Sequence, residues 1–135
     1  MNLVEKLVKA DCSKAYELKR RTFKSKRLAQ LIGETEPVEI TVREIPQRKL
    51  NELMAMQYSN KGTFQIERTF DAKLMSIVEG VIEPPMTDKE LLSHFNASTP
   101  KELAEVLFGS EVTAISDAIM ELSGVSEENE EDLKN

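Results

Sequence analysis

Residues 74–108 read LMSIVEGVIEPPMTDKELLSHFNASTPKELAEVLF, and the order of stops and starts in this stretch sets the architecture. Leu74, Ile77, Val78, Val81 and Ile82 recur at helical spacing, which predicts a helix opening near Asp71 with one apolar stripe. Gly80 lies inside it, at a cost of about 1 kcal/mol relative to Ala unless a close approach requires it. Glu83-Pro84 ends it, because the residue before proline is pushed out of the helical region. Thr87-Asp88-Lys89-Glu90 reads as a capping box for a short helix carrying Leu91, Leu92 and Phe95. Thr99-Pro100-Lys101-Glu102 is a second, with proline at the first helical position. It opens a helix bearing Leu103, Val106, Leu107 and Phe108, closed by Gly109.

Working outward, Ser110 is placed to cap a last helix with Val112, Ile115, Ile119 and Leu122 as its stripe, ended by Gly124. Residues 125–135 are acidic and lack apolar spacing, so they are expected to form a disordered tail beyond a single domain over 1–124. On the N-terminal side, Pro46 begins a helical stripe through Leu50, Leu53 and Met54 to about Ser59. A turn follows at Asn60-Lys61-Gly62, and Thr63–Ile66 reads as extended. Residues 37–45, PVEITVREI, alternate as a strand, with Val38, Ile40 and Val42 on one face. KRLAQLI at 26–32 is a short helix ended by Gly33. Residues 14–24 fit either an edge strand with outward Lys and Arg or a helix. Leu3, Val4, Leu7 and Val8 share a face of a short first helix. The fold class expected is mainly α with a small antiparallel β element, a two-stranded sheet near the N-terminus.

Composition narrows the function. The chain has 135 residues, 5% aromatics, no Trp and six Met, so Leu, Ile, Val and Met must build the core. The net charge of -6 is uneven: residues 1–31 hold nine Lys or Arg and three acids, and residues 121–135 hold six acids and one Lys. An acidic total argues against general nucleic-acid binding. The basic run Lys19-Arg20-Arg21, Lys24, Lys26, Arg27 with Phe23 inside it can still grip phosphate and stack a base, although outward residues of a strand explain it equally. Oppositely charged ends also offer a route to a homo-oligomer. With Cys12 as the sole cysteine no internal disulfide can form, and no apolar run approaches the roughly 20 residues that span a bilayer. No membrane association and a cytoplasmic location are expected.

Nothing in the sequence assembles a catalytic or metal site. His94 is the one histidine, far in sequence from Cys12. There is no Cys/His cluster, no calcium-loop pattern, no glycine-rich phosphate loop and no nucleophile elbow. No catalytic residue and no cofactor is therefore assigned, and the expectation is a protein that is not an enzyme.

Three stretches carry a family resemblance. VEGVIEPPM (78–86), DKELLSHFNASTPKELAEVLF (88–108) and IMELSG (119–124) resemble the XkdN-like phage tail assembly chaperones of phages and prophages of Gram-positive bacteria. KRLAQLIGE (26–34) leading into PVEITVREI is similar to the front half of that family. The resemblance implies a non-enzymatic protein, without cofactor, that binds the tape measure protein and keeps it soluble while tail tube protein polymerises around it. A helix-in-groove mode suits such a partner, and the contacts suggested for it are Met54, Met56, Leu103, Leu107, Phe108 and Met120. The alternative function is a small adaptor or regulatory module that engages an acidic partner or nucleic acid through the basic N-terminal segment.

Overall fold

The structure, a computed structural model, describes residues 1–125. The expected acidic tail, apart from Val125, lies outside the described residues. The elements in chain order are α1 (Leu3–Val8), β1 (Arg20–Ser25), α2 (Lys26–Ile32), β2 (Val38–Arg43), α3 (Gln47–Ala55), α4 (Thr69–Gly80), β3 (Val81–Glu83), α5 (Lys89–His94), α6 (Pro100–Phe108) and α7 (Val112–Leu122). Short 3-10 turns at Cys12–Tyr16, Ile66–Arg68 and Gly109–Glu111 join them. The class is α+β, as the sequence indicates.

The sheet has three strands rather than two, in the order β1-β2-β3 and antiparallel throughout. The added strand is Val81–Glu83, which the apolar spacing assigns to the preceding helix. α4 stops at Gly80 instead, and the β-branched pair Val81-Ile82 then suits an extended edge. Pro84 favours the same extended backbone at Glu83. Gly80 is needed where it stands, because a Cβ there would lie 2.7 Å from Ile119 of α7. α4 and α7 therefore run side by side through small residues. The Ser76 hydroxyl donates to the Lys73 carbonyl at 2.6 Å, so Ser116 is the donor in the 2.8 Å contact between the two serine oxygens. The successive pairs Lys73–Thr113, Ser76–Ser116 and Gly80–Ile119 show that the two helices are parallel.

The alternation on β2 decides which sheet face is buried. Ile40 and Val42 point into the core, where they meet Leu74 and Ile77 of α4, Leu103, Leu107 and Phe108 of α6, and Ile115 and Ile119 of α7. Met86, after the proline pair, is buried there too. Some predicted boundaries move. Asp88 caps α5, its carboxylate accepting from Leu91 N–H at 3.0 Å, whereas Thr87 lies outside the helix. Thr99 caps α6 as expected, and Glu102 reaches back to Ser98 N–H at 2.7 Å. α3 ends at Ala55 rather than near Ser59. Thr63–Ile66 contributes only an isolated bridge, Phe64 to Tyr58.

Ser110 does not cap α7; it falls within the Gly109–Glu111 turn. That turn meets the start of α2 in a reciprocal arrangement. Both carboxylate oxygens of Glu111 accept at the α2 N-terminus, from the Ser25 hydroxyl at 2.5 Å and from Lys26 N–H at 3.0 Å. In return Arg27 donates from Nε to the Leu107 carbonyl at 3.0 Å and from Nη2 to that of Val106 at 2.9 Å, at the α6 C-terminus. Each charge sits at the helix end whose dipole favours it. Gly109 has φ +45°, and a Cβ there would lie 2.7 Å from the Arg27 guanidinium, so backbone and neighbour both require glycine.

Arg27→Ala should lower the unfolding free energy by about 1.5–3 kcal/mol, the scale of charge-assisted hydrogen bonds. Arg27→Lys should recover only part of it, since an ammonium cannot span both carbonyls as the guanidinium fork does. Denaturant unfolding of the three proteins checks both expectations.

Candidate partner-binding surface

The six suggested contact residues divide between interior and surface. Leu103 and Phe108 are 0% exposed and Leu107 is buried beside them, so all three hold α6 in the core. The short spacing that marks α6 as an apolar helix is the spacing of its inward stripe. Met120 is half-buried and packs against the core. Only Met54 and Met56, at the end of α3, are exposed. The structure does not bring the six together.

Met54 and Met56 instead border an apolar surface that the sequence reading passes over. Past α3 the chain folds back on itself: Gln65 N–H donates to the Gln57 carbonyl at 2.7 Å and Ser59 N–H to that of Thr63 at 2.8 Å. The Tyr58 and Phe64 rings meet edge to face with centroids 5.5 Å apart. Arg68 returns to the Tyr58 carbonyl at 3.3 Å and fixes the loop's base. Ile66, 75% exposed, Phe64, 50% exposed, and Phe70 at the head of α4 continue the surface. The signal for it was present as the alternation Phe64, Ile66 next to Tyr58, but these residues read as an ordinary strand rather than as apolar side chains left outside.

A second unburied apolar face lies on α1. Asn2 caps this helix by accepting from Glu5 N–H at 2.9 Å, and the stripe Leu3, Val4, Leu7 and Val8 forms as the spacing indicates. It does not dock, and none of its residues is buried. The turn after it is capped by Asp11, whose carboxyl the Ser13 hydroxyl and amide hold below its usual range. An amphipathic helix with its apolar stripe exposed offers contact area for another apolar helix.

Part of the basic run is employed in the fold. β1 forms, which resolves the strand-or-helix choice for residues 20–24. Arg27 caps α6, and Arg21 pairs with Glu121 at 3.7 Å and reaches the Ala118 carbonyl at 3.4 Å. Phe23 packs against the core and offers no free ring to a base. Reversing Arg21 or Arg27 would therefore disturb the fold itself. His94 is exposed and stacks edge to face on Phe95, and Cys12 is exposed. Among the described residues no three His, Cys, Asp or Glu converge as a metal site, and no helix is long and apolar enough to cross a membrane.

Compared with known proteins, the chain matches the family described as phage XkdN-like tail assembly chaperone protein over residues 4–135. No curated protein and no solved structure matches it.

The division between core and surface has a direct test. Leu103→Ala should cost about 2–5 kcal/mol of stability, as for other buried leucines. Ile66→Ala should change stability by no more than about 0.5 kcal/mol, as for exposed positions. Thermal and urea unfolding of the two variants measures the contrast.

Proposed function

This chain belongs to the phage XkdN-like tail assembly chaperone family, and from that premise we propose that it binds the tape measure protein and keeps it soluble while tail tube protein polymerises. It does so in the host cytoplasm, as a binding protein without catalytic activity or cofactor. The observation that supports this reading is the run Met54, Met56, Tyr58, Phe64, Ile66 and Phe70, large apolar side chains left exposed from the end of α3 to the start of α4. A surface of this kind on a soluble protein marks a site of association. A long helical chain awaiting its tube presents the matching chemistry, apolar faces that aggregate unless covered. Met and aromatic side chains adapt to successive segments of such a chain without demanding one sequence. The tail tube protein is a further partner in this scheme, met when the chaperone is displaced.

Co-expression with the cognate tape measure protein tests the proposal. The wild-type chain should co-purify with it and raise its soluble fraction. Phe64→Asp with Ile66→Asp should abolish co-purification while leaving the melting temperature of the chaperone near that of wild type. Failure of the wild-type pair to co-purify, with no gain in solubility, would overturn it.

A further inference from the structure

The solvent-facing side of the sheet holds two like charges side by side. Arg20 of β1 and Arg43 of β2 stand directly opposite each other. Glu44 N–H donates to the Lys19 carbonyl one position further on. The two arginines therefore occupy a non-hydrogen-bonded position, where facing Cβ atoms are about 4.5–5.5 Å apart. Like charges so placed repel. Arg43 gives its Nε–H to the Glu79 carbonyl at 3.1 Å. The Arg20 side chain has no ion-pair or hydrogen-bond partner among the described residues. Both line a depression of about 400 Å³ with Tyr16, Glu17 and Leu18. Glu17 is the one acid in that lining, and it forms no ion pair there.

We propose that this arginine pair binds carboxylates of the chain's own acidic C-terminal segment, residues 126–135. Charge is the first argument. The segment carries Glu127, Glu128, Glu130, Glu131 and Asp132 against Lys134 alone. Guanidinium groups take carboxylates in paired, charge-assisted hydrogen bonds. Reach is the second. The described chain ends at Val125, just past Ser123, whose hydroxyl accepts from Ile45 N–H at 2.9 Å and whose carbonyl accepts from Gln47 at 3.2 Å. Ile45 is two residues beyond Arg43, a rise of about 7 Å at strand spacing. The segment thus begins at the end of the sheet that holds the pair. Ten residues span up to roughly 33 Å when extended. The other charged couple on that face of β1 and β2, Lys24 opposite Glu39, already balances its own charge.

The test uses the full chain, ¹⁵N-labelled, with Cys12→Ser and a nitroxide on Leu133→Cys. At low ionic strength the amides of residues 20–22 and 41–43 should broaden. The broadening should disappear near 1 M salt, where the screening length falls to about 3 Å, and in the Arg20→Gln variant, whose side chain is exposed and supports no packing. Absence of broadening at low salt overturns the proposal, as does broadening that survives both salt and Arg20→Gln. A mixture of ¹⁵N-labelled chains lacking the nitroxide with unlabelled chains carrying it separates the sources. Broadening seen in that mixture at the level of the doubly labelled chain puts the segment on a second copy and also overturns it. None of these readings depends on the tape measure protein.

Discussion

The arrangement between Ser25–Arg27 and Val106–Glu111 is the constraint on which the fold depends. The chain has two halves of different construction, two strands and α2 before residue 46 and a set of short helices with the third strand after it. Glu111 completes the N-terminus of α2 and Arg27 completes the C-terminus of α6. Helix ends leave backbone groups without intrahelical partners. Here each half supplies the charge that the other half's helix end favours. Arg43 at the Glu79 carbonyl and Arg21 at the Ala118 carbonyl repeat the device on α4 and α7. Arginines of the strands thus tie the sheet to two of the helices behind it.

Much of this was legible in the sequence where local chemistry acts alone. β2 announced itself by alternation, α2 by Gly33, which takes φ +79°, and α6 by Thr99-Pro100. What was not legible depends on partners distant in sequence. Val81 and Ile82 fit the helical stripe of α4 as well as they fit a strand, and only their pairing with β2, distant in sequence, shows which they adopt. Ser110 has the composition of a cap, but Glu111 is drawn to the start of α2, and the turn before α7 forms around that contact. Arg21 and Arg27 of the basic run resemble a phosphate-binding surface until their carbonyl partners, some 80 to 97 residues away, are known.

The same limit explains the apolar residues. Periodicity reports that a side chain is apolar and on a particular face, not whether anything covers that face. α1 and α6 have equally clear stripes, yet the stripe of α6 closes the core and that of α1 meets solvent. The heavily punctuated stretch 74–108, which carries the family likeness, is accordingly the structural centre of the chain. The material left for a partner lies before it, on α1 and on the connection from Met54 to Phe70. These exposed apolar residues are therefore carried outside a core that its own packing holds in place.

Hydrogen–deuterium exchange on the chain, free and in complex with its tape measure protein, tests this division most directly. Slowed exchange across residues 54–70, and on α1, with α6 unchanged from Leu103 to Phe108, is the expected result. Protection confined to Leu103–Phe108, with residues 54–70 exchanging as in the free protein, would contradict it.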